Sequence, residues 1–161
     1  METGLIQVYC GDGRGKTTAA IGQAIRAASQ GKTVNIVQFL KGKNEDELGF
    51  IKRLEPEIKL FRFEKSEAVY DQLNEVQQSE EAMNIRNGIN FARKVIQTNG
   101  CEVLILDEIL GLLDNKIISI EDIKELIDHK SEEMELIFTG RSLNEEIIEL
   151  ADCVTRIETV K

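Results

Sequence analysis

Gln7-Val8-Tyr9-Cys10-Gly11-Asp12-Gly13-Arg14-Gly15-Lys16-Thr17-Thr18 is the stretch that decides the fold. An apolar run, Leu5 to Tyr9, leads into a glycine-rich turn, and the turn leads into a helix-forming run, Thr17 to Ser29. Strand, glycine loop, lysine-threonine and helix, in that order, form the context of a phosphate-binding loop. Glycines at 11, 13 and 15 let the backbone curl so that successive N–H groups converge on one anion. The helix start adds its unpaired N–H donors and the positive end of its dipole. The segment Gly11, Asp12, Gly13, Arg14, Gly15, Lys16, Thr17 and Thr18 is therefore the expected nucleotide cradle. Within it Lys16 supplies a charge for the terminal phosphates, and Thr17 a hydroxyl for Mg²⁺.

The spacing departs from the common G-x-x-x-x-G-K-[ST] pattern. Cys10 stands where the first glycine belongs, and Gly11 comes one residue later. Two other readings of the turn exist: a strand-helix connection that binds nothing, and a dinucleotide fingerprint. The second requires G-x-G-x-x-G, whereas the spacing here is G-x-G-x-G.

Composition bounds the rest. The 161 residues suit one domain spanning 1–161, long enough for a real core. Twenty basic and 29 acidic residues leave a net charge of −9, which disfavours nucleic acid or an anionic membrane as partner. Cys10, Cys101 and Cys153 are far apart and contain no C-x-x-C, which argues against disulfides or a zinc ribbon and suits the cytoplasm. The N-terminus carries no signal-peptide pattern, and no apolar run approaches the roughly 20 residues of a membrane span.

Beyond the loop, Ala20, Ile21, Ala24, Ile25 and Ala28 share one helical face, Gly31 ends the helix, and Thr33 to Leu40 reads as a buried strand. Strand, helix and strand at this spacing predict a parallel sheet with right-handed crossovers. Lys41-Gly42-Lys43 then falls at a strand's carboxyl end, where open α/β sheets place ligands. Residues 45–57 read as a short acidic helix, and Lys59 to Phe63 as a brief strand. Glu64 to Glu80 is polar and reads as an excursion over the ligand or a lid, with a helix from Asn84 to Thr98. Cys101 to Glu108 is an apolar strand ending in two acids, so Asp107 and Glu108 are expected to face Thr17 across a Mg²⁺ ion. Ser119 with Asp122 caps the next helix, at whose far end His129 reads as a surface residue. A fifth strand, Glu135 to Thr139, ends in Thr139-Gly140-Arg141, and Arg141 can reach a phosphate or carboxylate bidentately. Leu143 to Ala151 reads as a last helix and Cys153 to Ile157 as a last strand. The fold class is α/β: a three-layer P-loop, RecA-like arrangement with a mainly parallel sheet flanked by helices.

Taken together, the chain resembles the P-loop corrinoid adenosyltransferases, which act on cob(I)alamin or cob(I)yrinic acid a,c-diamide. The likeness runs through Gly11 to Ala20, Arg26-Ala27-Ala28, Val37 to Gly42, Leu106-Asp107-Glu108, Thr139-Gly140-Arg141 and Glu149 to Asp152. The displaced glycine belongs to that family's pattern too. The resemblance implies that a Co(I) centre attacks C5′ of ATP, that triphosphate leaves whole, and that the nucleotide lies reversed in the loop. It implies ATP and a corrinoid as substrates, Mg²⁺ at Thr17 with Asp107 or Glu108, and a catalytic set of Lys16, Thr17 and Glu108. Gln38 and Lys41 become candidates for the nucleoside or corrin side, and Arg141 for phosphate or corrin carboxamides. A homodimer is the family precedent, and a reductase partner must supply Co(I).

Longer members add an N-terminal helical extension, a C-terminal tail and a G-F-T-W-like aromatic motif beneath the corrin. This sequence shows none of them, and its corresponding region offers Phe61, Phe63 and Tyr70. Either the corrin is gripped differently, for instance by a partner chain, or the substrate has changed. The rival reading is a P-loop ATPase or nucleotide-sensing module, with Glu108 orienting a water. Against it, RecA-like ATPases often carry a carboxylate after the second strand, where Gln38 stands here. A thymidine-kinase-like phosphotransferase lacks its zinc-ribbon cysteines, and a purely non-enzymatic interaction domain is the last alternative.

Overall fold

A computed structural model describes residues 3–41 and 49–161. The strands are β1 (Ile6–Cys10), β2 (Val34–Gln38), β3 (Ile58–Arg62), β4 (Val103–Asp107), β5 (Glu135–Thr139) and β6 (Cys153–Arg156). They form one sheet in the order β3-β2-β4-β5-β1-β6, and each neighbouring pair is parallel. All six therefore end at the same edge. β5 lies between β1 and β4, so the phosphate loop and the acidic strand end are two strands apart.

Alternation along the strands sends side chains to two cores. Ile6, Val8, Val37, Leu104, Leu106, Leu136 and Phe138 face α2 (Glu75–Gln97), α3 (Ile109–Asp114), α4 (Ile120–Asp128) and α5 (Glu145–Leu150). Tyr9, Val34, Ile36, Ile58, Val103, Ile105 and Ile137 face α1 (Lys16–Ser29). α1 approaches the sheet through Ala20, Ala24 and Ala27, all buried, because small side chains allow close packing. The central strand β4 is buried at all five positions, as expected for a parallel strand covered on both faces.

Several elements differ from the sequence-based expectations. The polar stretch after β3 is partly helical: a 3-10 turn spans Tyr70–Gln72, and α2 begins at Glu75, well before Asn84. A capping box starts it, with Asn74 accepting from Gln77 N–H and Gln77 from Asn74 N–H. Its first turns lack an apolar stripe, so periodicity did not reveal them. β2 stops at Gln38, and the last helix shortens to Glu145–Leu150 behind an Asn144 cap. Gly42, Lys43 and residues 45–48 of the expected acidic helix lie outside the described residues; of the rest, Gly49–Leu54 forms a 3-10 helix and residues 55–57 a turn. His129 is exposed at the end of α4, as its position suggested.

Candidate functional site

Strand register assembles the site. Gln38 pairs laterally with Arg62 on one side and Asp107 on the other, and β4 pairs with β5 up to Leu106 and Phe138. Residues in lateral register share a face. Arg62, Gln38, Asp107 and Thr139 thus form a polar row on the α1 side, one per strand end, directly above the apolar row of that core. A hydrogen-bond relay runs along the row. Arg62 Nε donates to Gln38 Oε1 at 2.8 Å, and Gln38 Nε2 donates to Asp107 Oδ2 at 3.0 Å. Thr139 Oγ1 donates to Asp107 Oδ1 at 2.7 Å and accepts from Glu108 N–H at 2.8 Å.

The phosphate loop closes on the same carboxylate. Thr17 Oγ1, in the first turn of α1, donates to Asp107 at 2.9 and 3.1 Å, shared between the two oxygens. Asp107 is fully buried and receives three donor groups, so its charge is held in place by fixed dipoles. Thr17 spends its proton on Asp107, which leaves the hydroxyl lone pairs for a cation. Oxygen donors of this kind suit Mg²⁺. Lys16 Nζ donates to the Gly13 carbonyl at 3.0 Å, folded over the loop. Gly15 caps α1 at φ 105°, a backbone region that favours glycine.

The far wall of the loop is made by the segment after β6. Gly13 N–H donates to the Ile157 carbonyl at 2.9 Å, and Arg14 N–H to Thr159 Oγ1 at 3.2 Å. A Cβ on Gly13 would lie 2.6 Å from the Ile157 carbonyl oxygen, so this glycine is required by close approach. Gly11 N–H donates to the Arg141 carbonyl at 3.0 Å, and the Arg141 guanidinium lies 3.6 Å from Asp12 Oδ1. That pair is largely exposed and contributes little by itself. A hollow of about 540 Å³ lies beside the loop, bordered by Asp12, Arg141 and Arg156 among others. A larger hollow, of about 820 Å³, lies at the opposite end of the sheet; Glu102, Glu132, Glu133 and Glu135 give it the wrong sign for phosphate.

Glu108 takes a left-handed conformation, φ 65°, immediately past β4. Burial, and then the neighbouring Asp107 charge, push its carboxyl upward, against the pull of Lys41, Lys16 and Arg141. Three of the expected basic residues thus bear on one carboxylate. Gln38, expected to meet the nucleoside or corrin, is instead 2% exposed with both ends of its amide engaged. Phe61 and Phe63 stack on Phe91 of α2, with ring centroids 4.6 and 5.4 Å away. Arg62, Thr139 and the Ile157–Thr159 segment are the members that the sequence reading did not assign to the site. Lateral register across the strand ends is the signal that finds the first two.

A parallel sheet with strand-loop-helix, a threonine on a buried aspartate and a glycine-built loop at the start of α1 define a P-loop protein of RecA-like fold. The same fold recurs in a KaiC-like protein of Pyrococcus horikoshii OT3 (TM-score 0.64, 18% identity, 98% of this chain and 74% of that one). It recurs too in the flagellar accessory protein FlaH of Methanocaldococcus jannaschii (TM-score 0.60, 16% identity, 95% and 70%). Residues 2–161 match the family model described as ATP:corrinoid adenosyltransferase BtuR/CobO/CobP, and the chain belongs to that family. It is 32% identical to a corrinoid adenosyltransferase of Escherichia coli K12 over 99% of this chain and 79% of that protein. It is 29% identical to the corrinoid adenosyltransferase CobA of Salmonella typhimurium LT2, with the same coverage. No described helix is long and apolar enough to cross a membrane.

Proposed function

We propose that residues 1–161 act as one nucleotide-binding domain that transfers the 5′-deoxyadenosyl group of ATP to the Co(I) of a corrinoid. The corrinoid is cobalamin or cob(I)yrinic acid a,c-diamide. The Co(I) electron pair forms the Co–C5′ bond, the C5′–O bond breaks, and its electrons leave on triphosphate; cobalt ends as Co(III). The residues of this chain serve the leaving group. Gly15, Lys16, Thr17 and Thr18 meet the triphosphate, while Gly11, Asp12, Gly13 and Arg14 shape the loop. The N–H groups of Gly11, Gly13 and Arg14 are engaged with Arg141, Ile157 and Thr159 and do not converge on the anion as the sequence suggested. Lys16 and the N–H groups at the start of α1 meet the charge that grows as C5′–O breaks. Mg²⁺ bound at Thr17 would supply charge neutralisation, with Asp107 fixing the hydroxyl and Glu108 beside the ion. The charges of Lys41 and Arg141 bear on Glu108; Lys41 is assigned to the corrin periphery, and Arg141 to the phosphates or the corrin carboxamides. Gln38 acts by holding Asp107.

The observation that carries this reading is the commitment of Gln38. A hydrolase of this fold often places a carboxylate there for water; here an amide bonded to Arg62 and Asp107 fills the place. A Co(I) nucleophile brings no proton and needs no base. Phe61 and Phe63, spent on Phe91, do not offer a free aromatic platform, so the corrin is gripped by other groups, with a second copy of the chain as the natural source. A reductase that supplies Co(I) and a cytoplasmic location complete the proposal. The test is anaerobic: ATP, Mg²⁺ and chemically reduced cobalamin or its diamide precursor, followed by absorbance and product analysis. Co–C bond formation with triphosphate release is expected. Release of inorganic phosphate without corrinoid would mark an ATPase instead.

A further inference from the structure

Glu64 follows β3 at the edge of the site, and the adenosyl-transfer chemistry makes no use of it. Its Oε1 accepts the Leu40 N–H at 3.1 Å, bridging the chain ends that leave β3 and β2. Its Oε2 is buried and has no hydrogen-bond partner among the described residues. Leu40 is itself unusual. It adopts φ 61°, a conformation that costs a bulky side chain on the order of 1 kcal/mol. Something must hold it there. The Leu40 side chain packs against Gly111, where an added Cβ would lie 2.6 Å from Leu40 Cδ1 and 3.2 Å from Glu108 Oε2. The next residue is Lys41, whose charge bears on Glu108.

We propose that Glu64 is a proton-sensitive positioning residue that holds Leu40 in its left-handed conformation and so sets Lys41 beside Glu108. The surroundings of the carboxyl explain the sensitivity. Desolvation pushes Glu64 up to about 7, helped by Glu81 of α2 and opposed by the Leu40 N–H and by Arg62 of β3. Glu81 does not pair with Oε2, because its own oxygens accept from the Lys65 N–H and Asn84 Nδ2. Arg62 Nε is committed to Gln38. Ionised Glu64 offers Leu40 a charge-assisted acceptor at the cost of burying the charge on an Oε2 that no described residue pairs. Neutral Glu64 relieves that cost and loosens the clasp. Leu40, and with it Lys41, is therefore held more firmly above neutral pH than below it.

The catalytic half of this inference rests on the adenosyl-transfer reading; the clasp itself does not, and two readouts keep them apart. In the first, the Leu40 amide is followed by NMR from pH 5.5 to 8.5 in the wild type and in Glu64→Gln. The wild-type resonance should titrate with a midpoint near 7, and the glutamine variant, which keeps an acceptor but no titrating group, should be flat. In the second, the corrinoid KM should fall about five-fold from pH 6 to pH 8 in the wild type relative to Glu64→Gln, with ATP affinity alike in both. A Leu40 amide that ignores pH, or titrates equally in both proteins, overturns the clasp. Identical KM profiles beside a titrating Leu40 overturn the link to Lys41. A wild type that shows the Leu40 titration but adenosylates no corrinoid upholds the clasp and refutes the adenosyl-transfer reading.

Discussion

Gln38 donates to Asp107 across 3.0 Å although 69 residues of chain separate them. The bond helps to explain how a carboxylate with no solvent contact is accommodated in the interior. It also makes the exchange of that carboxylate for an amide costly. Asp107→Asn keeps the volume but turns one acceptor into a donor facing Thr17, Thr139 or Gln38. Denaturant unfolding should show a loss of about 2–4 kcal/mol, and Mg²⁺ should no longer raise turnover. Stability within 0.5 kcal/mol of wild type would show that the relay is not a buried network.

Lys16→Ala removes the one side-chain cation anchored within the loop by the Gly13 carbonyl. Charge-assisted contacts of this kind are worth about 1.5–3 kcal/mol, so ATP affinity should fall roughly 10- to 150-fold while the fold persists. Calorimetric titration with ATP·Mg²⁺ checks it, and an unchanged dissociation constant would place the triphosphate elsewhere.

Gly13→Ala tests the wall behind the loop. The methyl group would sit 2.6 Å from the Ile157 carbonyl, so either the loop or the chain beyond β6 must move. A loss of about 1–3 kcal/mol is expected, with ATP affinity falling in parallel. If melting and binding both stay at wild-type values, the contact between Gly13 and Ile157 does not shape the loop.

Glu64 predicts a pH-dependent stability. Its carboxyl is raised from 4.5 to about 7 in the folded chain, so the folded state keeps a proton that the unfolded state has lost. The group's favourable contribution is complete below about 4.5 and is lost as pH rises through 7. Compared with Glu64→Gln, the wild type should lose up to about 3 kcal/mol between pH 4.5 and 8 and change little above that. Denaturant midpoints for both proteins across this range provide the test; parallel curves would refute the assignment.

The features legible in the sequence are local ones. The Ser119–Asp122 capping box needs four residues of sequence, and the phosphate loop needs a strand, its glycines and a helix; both form as expected. The Asn74–Gln77 box is equally local, but α2 opens with Glu75, Val76, Gln77 and Gln78 and buries none of them, so no periodic stripe marks it. The role of Gln38 is not legible in the same way. It depends on lateral register with Arg62 and Asp107, 24 and 69 residues away, and register is a property of the sheet. Glu64 lies inside a stretch that reads as a lid, where a buried carboxyl has no sequence mark at all.

The position of β1 between β5 and β6 has a consequence for how the protein is made. The strand that launches the phosphate loop pairs only with segments beginning at Glu135 and Cys153. Both walls of the cradle are therefore synthesised well after the loop that they enclose. Until they emerge the nascent chain carries the nucleotide motif with neither wall in place, and ATP cannot assist folding before β5 and β6 arrive. Nucleotide affinity should appear abruptly once β6 has joined β1, as an all-or-none report that the sheet has closed.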